Sequence, residues 1–272
     1  MQPRAVDAAG VTHEPAGAAA RIVSLVPSIT ELLFALGLDK QIVGRTGFCV
    51  HPHDKVQPVR KVGGTKAVNL DAIRALRPTH LIVNIDENER ATVEQLQAFV
   101  PQVVVTHPRT PGDNLTLYTL LGTIFDRARE AQRLGEALEA RLHEATAHAF
   151  APQNVLYLIW REPWMTVARD TYISAMLRLV NWHTLPGVQG GATGAARYPT
   201  LDFDSAPWLA HVERILLSSE PYRFTQVHCD ALKRDPRLAG KRIELIDGEM
   251  VSWYGVRAIE GIAYLMRCAG AV

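Results

Sequence analysis

The residues best suited to chemistry are aromatic, and they are unevenly placed. All five tryptophans (Trp160, Trp164, Trp182, Trp208 and Trp253) lie in the second half of the chain. Three short stretches carry most of the aromatic and charged candidates: Trp160-Arg161-Glu162-Pro163-Trp164, Ser218-Ser219-Glu220-Pro221-Tyr222 and Ser252-Trp253-Tyr254. Each follows an apolar run that reads as a strand, and open α/β sheets bind their ligands beyond the carboxyl ends of strands. Three such loops at one edge suggest a platform for a large flat or ring-bearing ligand. Tyr172, at a predicted helix start, joins this set. In the first half the candidates are Cys49, His51, Lys66 and Glu87.

Other motifs carry less. Cys49-Val50-His51-Pro52-His53 groups three metal-ligand types but matches no zinc spacing and has no second cluster. Gly63-Gly64-Thr65-Lys66 lacks the frame of a phosphate loop and reads as a turn. The acids of Asp86-Glu87-Asn88-Glu89 suit a helix N-terminus. Neither a dinucleotide fingerprint nor a G-x-S-x-G nucleophile motif occurs. No catalytic residue, resident metal or cofactor is therefore expected, and the chain reads as a binding protein and not an enzyme.

The elements that must position these residues alternate. Residues 22–26, 41–46, 81–84 and 103–106 read as strands, with helices from Ser28, over 69–76 and over 88–99 between them. Ser28 and Glu31 have capping-box spacing. This rhythm predicts a parallel sheet with helices outside it. It breaks at 113–150, where apolar residues from Leu117 to Ala145 keep helical spacing, implying one helix of roughly 50 Å. The rhythm then resumes, with strands at 155–160, 214–219 and 242–247 and helices at 172–180, 204–210 and 256–268. The expected architecture is α/β: a disordered segment 1–20, an N-terminal Rossmann-like lobe 21–112, a backbone helix 113–150 and a C-terminal lobe 151–272.

Composition narrows the function classes. The 272 residues are 47% hydrophobic and 21% charged, with 29 basic against 28 acidic side chains. That is an ordinary globular composition without the net positive field of a nucleic-acid binder. No run approaches the roughly 18 apolar residues that span a bilayer, so any membrane association is peripheral. The three cysteines are scattered and predict no disulfide framework. Residues 1–20 lack an apolar core after a basic start and do not read as a secretory signal.

Together these stretches resemble the helical-backbone (class III) substrate-binding proteins of ABC importers, which bind vitamin B12, ferric siderophores and haem. The resemblance rests on residues 21–31 (Arg21-Ile22-Val23-Ser24-Leu25-Val26-Pro27-Ser28-Ile29-Thr30-Glu31), Val62-Gly63-Gly64 before Asn69-Leu70-Asp71, Leu76-Arg77-Pro78 before a strand, and the long helical stretch. It runs from Arg21 to Cys268 and looks closest to the cobalamin-binding branch. It implies a ligand held in a cleft between lobes, a periplasmic location and an importer permease as partner. It also implies acidic docking residues, at Asp71 and Asp204 here, where the family commonly has Glu. Phe48 falls where that branch has an aromatic against the corrin, while two other aromatic positions are Thr65 and Asn84. A corrinoid, haem or ferric siderophore is the implied ligand. Two alternatives stand beside it: a cytoplasmic carrier or sensor of the same fold, motivated by the first twenty residues, and direct zinc or manganese binding through Cys49, His51 and His53.

Overall fold

The computed structural model describes residues 5–191 and 194–270. Contacts divide the chain into two units: residues 1–108, 112–138 and 254–256 form the first, and 109–111, 139–253 and 257–272 the second.

The first unit opens on a hairpin of β1 (Ala5–Val6) and β2 (Thr12–His13). It then alternates β3 (Ile22–Ser24), α1 (Pro27–Ala35), β4 (Ile42–Arg45), α2 (His53–Val56), β5 (Arg60–Lys61), α3 (Leu70–Ala75), β6 (His80–Asn84), α4 (Arg90–Gln97) and β7 (Gln102–Thr106). The five strands β3–β7 pair in parallel in the order β5-β4-β3-β6-β7. Central strands covered on both faces are mainly apolar, and β6 is buried at every position, its polar ends His80 and Asn84 included. One face packs Val23, Leu81 and Val83 against Ile73 of α3 and Leu96 of α4. On the other, the Thr30 hydroxyl of α1 lies 2.9 Å from Ser24 Oγ. The order reverses beside β3, the position at whose carboxyl edge open α/β sheets place their ligands.

The second unit repeats the plan with β8 (Gln153–Leu158), α7 (Tyr172–Arg178), β9 (Trp182–Thr184), α8 (Gly194–Arg197), β10 (Arg214–Ser218), α9 (Gln226–Lys233), β11 (Arg242–Ile246), α10 (Gly248–Ser252) and α11 (Arg257–Cys268). The sheet order is β11-β10-β8-β9, again parallel. Leu156, Leu158, Ile215, Leu217 and Ile243 pack with Leu232 of α9 on one face. On the other side α7, α10 and α11 meet at Gly261, where an added Cβ would lie 2.1 Å from the Met250 carbonyl oxygen. The α/β architecture with two parallel sheets is the one expected from the alternation of apolar runs.

Four expectations about local structure change. The single helix 113–150 is two, α5 (Asp113–Ile124) and α6 (Ala128–Ala147). Asp126 adopts a left-handed φ of 53°, which Asp tolerates better than most residues. The Arg127 N–H then reaches the Gly122 carbonyl at 2.7 Å. Gly122 is required there, since a Cβ would sit 2.6 Å from that of Ala131. At ~1.5 Å per residue, α6 is about 30 Å long. The capping box at Ser28 is absent: Pro27 is the first helical residue and Val26 the N-cap. The helix over 204–210 is replaced by two 3-10 turns, Phe203–Ser205 and Pro207–His211.

Residues 5–20, expected to be disordered, are folded onto the first unit. The buried Asp7 carboxylate accepts from the backbone N–H groups of Ala9, Val11 and Val105 at 2.9–3.0 Å and from His13 Nε2 at 3.0 Å. The Ala8 N–H adds a bond to the Val105 carbonyl, so the segment covers the edge of β7. One buried, fully bonded carboxylate holds it, a device that leaves no apolar period to read.

Beside this hairpin, His80 is buried with its ring edge-on to Phe125. Burial, with His13 nearby, lowers its pKa from 6.5 to about 4. The unfolded chain therefore takes up this proton first on acidification. The contribution is complete above pH 6.5 and is lost as pH falls through about 4. Urea unfolding at pH 7 and pH 4 should differ by about 2–3 kcal/mol more in the native protein than in His80→Leu. Equal pH dependence in the two would refute the assignment.

Candidate functional site

At the carboxyl edge of the first sheet, the loops are tied to one another by hydrogen bonds. The Gly47 N–H after β4 donates to the Gly63 carbonyl after β5 at 2.7 Å. Phe48 is 63% exposed, and its ring edge approaches Gly64 so closely that a Cβ there would lie 3.3 Å from Phe48 Cε2. Lys66 is exposed in the same turn. Asn88, which sequence reasoning passed over, joins three strand ends. Its Nδ2 donates to the carbonyls of Thr65 (2.9 Å) and Leu25 (3.3 Å), and its Oδ1 accepts the Asn84 N–H at 2.9 Å. Asn84 is buried and turned inward: Nδ2 contacts Thr106 Oγ1 at 3.4 Å, and Oδ1 accepts the Asp86 N–H at 2.8 Å. It shapes the loop and offers no side chain to the edge. Asp86 in turn lies 3.4 Å from His107 Nε2.

Cys49 and His51 do not form a common surface. Cys49 is fully buried, its sulfur 3.1 and 3.2 Å from the hydroxyls of Thr30 and Thr46, and burial pushes its thiol pKa up. A protonated interior thiol is neither a metal ligand nor a ligand contact. His51 is half-buried, and His53 is exposed at the start of α2. Among the described residues no group of three or more His, Cys, Asp or Glu side chains is placed to hold a metal ion.

In the second unit, two of the aromatic loops meet at the edge. Trp160 is 40% exposed and stands edge-on to Tyr222, with centroids 5.5 Å apart. Trp164 is half-buried, stacked on Phe224 and tilted against Phe203, so it anchors its loop to the core. Arg161 is exposed, with its Nε 3.3 Å from Glu162. Glu220 draws in the third loop: one carboxylate oxygen accepts from Ser252 Oγ and from Trp253 Nε1, each at 2.7 Å. Burial raises the Glu220 pKa, and those two hydrogen bonds oppose the shift. Trp253 is only 7% exposed, covered by the Arg257 guanidinium, and serves as a brace instead of a contact surface. Tyr172, the first residue of α7, is likewise buried.

Tyr254 does not join this group. It belongs to the first unit, where its hydroxyl donates to the Glu87 carboxylate. The next residue is pinned there as well: the Gly255 N–H donates to Asn114 Oδ1 at 2.6 Å, and Tyr118 Oη donates to the Gly255 carbonyl at 2.9 Å. Asp71 is exposed in the first turn of α3. Asp204 is exposed in its 3-10 turn and paired with Arg237, which also holds Asp235.

At the edge of the first unit the Phe48 ring lies against the turn that carries Lys66, and at the edge of the second Trp160 and Tyr222 pair on loops that also carry Arg161. Each edge thus offers apolar ring surface on loops that carry a cation.

Comparison with known proteins bears on the same point. Residues 22–190 match the family model described as "Periplasmic binding protein". The chain is 25% identical over 167 residues to the vitamin B12-binding protein of Pectobacterium atrosepticum, covering 58% of this chain and 59% of that protein. That match thus spans less than two thirds of the relative's length. An ABC transporter substrate-binding lipoprotein of Bacillus subtilis, YvrC, is 23% identical, with 90% of this chain and 78% of that one covered. Among solved structures, the periplasmic vitamin B12-binding protein BtuF of Vibrio cholerae superposes with a TM-score of 0.75 at 16% identity, covering 91% of this chain and 95% of that one. The periplasmic heme-binding protein HutB of Vibrio cholerae gives 0.74 at 22% identity, covering 92% and 99%. With well over half its length matched by the family model and its fold shared with these proteins, the chain belongs to the periplasmic binding protein family.

Proposed function

We propose that this protein is the substrate-capturing component of an ABC importer, and that its ligand is a macrocyclic metal chelate of the corrinoid or haem type. The observation that carries this reading is that each unit presents an exposed aromatic at its own sheet edge, Phe48 at 63% exposure in the first and Trp160 at 40% in the second, with Lys66 and Arg161 exposed on the respective edges. A flat macrocycle can cover such rings, gaining on the order of 25 cal/mol for each Å² of apolar surface removed from water. The relatives named for vitamin B12 and for heme support that ligand class. Capture and delivery of an unchanged ligand is the role that the family match and the substrate-binding relatives support. A ferric siderophore is the less favoured ligand, and direct zinc or manganese binding is disfavoured by the burial of Cys49.

Asp71 and Asp204 are proposed as the acidic points that meet basic residues of the permease, with Asp204 released from Arg237 on docking. An extracytoplasmic location goes with this role, and the alternative is a cytoplasmic carrier of the same fold. No helix among the described residues is long and apolar enough to cross a membrane.

The test is a titration of tryptophan fluorescence with cobinamide, cobalamin and haemin. At least one should quench at micromolar concentration or below. Trp160→Ala should weaken that ligand by about 10-fold or more, as expected for a central aromatic anchor. Absence of quenching by all three would refute the reading.

A further inference from the structure

We propose that the Tyr222 hydroxyl is a dedicated hydrogen-bond donor to a carboxylate on the ligand, held in that role by His228. This rests on the binding reading above and narrows it to a ligand with ionised carboxyl groups.

At the N-terminus of α9, Thr225 and His228 form a capping box. The Thr225 backbone N–H lies 3.0 Å from His228 Nδ1. A backbone N–H can only donate, so Nδ1 is the acceptor and carries no proton. The neutral imidazole must then carry its proton on Nε2. That nitrogen lies 3.2 Å from Tyr222 Oη, so His228 donates and the phenol oxygen accepts. Thr225 Oγ1, 3.0 Å from the same nitrogen, can donate to it as well, whereas the reverse arrangement would set an Nδ1 proton against the Thr225 N–H. Tyr222 therefore keeps its own hydrogen, and among the described residues no acceptor takes it.

The ring cannot turn away to find one. It is held at 4.7 Å from the Phe224 ring and 5.5 Å from Trp160, and it stands at the carboxyl edge of β10. The acceptor that fits is anionic. Arg161 and Arg223 are exposed on the two loops that carry Trp160 and Tyr222. One oxygen of the nearby Glu220 carboxylate takes Ser252 and Trp253, and among the described residues no hydrogen bond joins Glu220 to the Tyr222 hydroxyl. A neutral donor gains more from a carboxylate than from an amide, because a charge-assisted hydrogen bond is roughly twice as strong, and the exposed Arg161 and Arg223 add basic charge to the same two loops. The corresponding ligand is a haem-type macrocycle with ionised side chains, ahead of a corrinoid bearing amides.

The test compares haemin, haemin dimethyl ester and cobinamide in one detergent-containing buffer, using the whole chain. Tyr222→Phe should weaken haemin by about 10-fold and the ester by less than about 2-fold. His228→Ala should weaken haemin in the native background and have no further effect on top of Tyr222→Phe. A merely structural role would not produce that ester contrast or that non-additivity. Equal weakening of haemin and ester, or none, would overturn the proposal. Binding of cobinamide without haemin would overturn the carboxylate assignment and leave the binding reading standing. Binding of none of the three would overturn both.

Discussion

Asn88→Ala should unfold the first unit at markedly lower urea than the native protein, with a loss of about 3 kcal/mol. This magnitude follows from what the amide holds. Its Nδ2 serves the carbonyls of Leu25 and Thr65, and its Oδ1 satisfies the Asn84 N–H. The residue is 9% exposed, so these groups lose their partner where water reaches them poorly. Unsatisfied interior backbone groups cost about 1–3 kcal/mol each, and some relaxation offsets the full sum. The same three bonds set the relative positions of the loops after β3, β5 and β6. Ligand affinity should therefore fall along with stability, even though Asn88 offers no surface to a ligand. Equilibrium urea unfolding by circular dichroism measures the first effect. A change below about 0.5 kcal/mol would show that Asn88 is incidental.

Gly248→Ala is the second large effect, and it acts through overpacking. Gly248 is the first residue of α10, and a Cβ there would lie 2.4 Å from Ser218 Oγ, 2.7 Å from Glu220 Cγ and 2.9 Å from the Glu220 backbone nitrogen. Side chains can yield, but the backbone nitrogen of a strand-end loop yields only if the loop moves. A loss of about 2–3 kcal/mol is expected, the range of a forced methyl in a packed interior. Displacing Glu220 also disturbs the bonds it accepts from Ser252 and Trp253 and shifts Tyr222, two residues on. Affinity should drop by more than in a variant of equal stability loss placed far from this edge, such as Ile243→Val. Calorimetric melting paired with ligand titration separates the two effects. Unchanged affinity would show that the position of Glu220 does not govern the site.

Much of the fold could be read in the chain because parallel strands covered on both faces must be apolar. The runs at 22–26, 81–84 and 103–106 announced β3, β6 and β7 in this way, and the intervening helical spacing placed α3 and α4. What escaped has physical reasons. Edge strands have little to bury: β5 is Arg60-Lys61, both exposed, and only its backbone pairing with β4 makes it a strand. The break between α5 and α6 rests on one left-handed Asp and one glycine contact, neither of which disturbs the apolar period around it.

The site divides along the same line. The aromatics of the loops after β8 and β10, Trp160 and Tyr222, were legible by position, and Phe48 through the family resemblance. Burial was not, because an aromatic in a loop can brace the core or face the ligand. The hydrogen bonds that decide this for Trp253, Glu220 and Tyr254 come from residues 32 to 167 positions away. Asn88 and His228 were invisible for the opposite reason. Each looked like an ordinary polar residue at a helix start, and that is where both lie.

The central claim is that this chain captures a macrocyclic chelate. Equilibrium dialysis of the purified protein against cyanocobalamin, cobinamide, haemin and a ferric hydroxamate siderophore tests it most directly, read by the absorption spectrum of the retained ligand. The predicted result is one equivalent of a corrinoid or haem retained at micromolar concentration or below, with a shifted spectrum, and retention reduced in Trp160→Ala. Retention of the siderophore alone, or of none of the four, would contradict the claim.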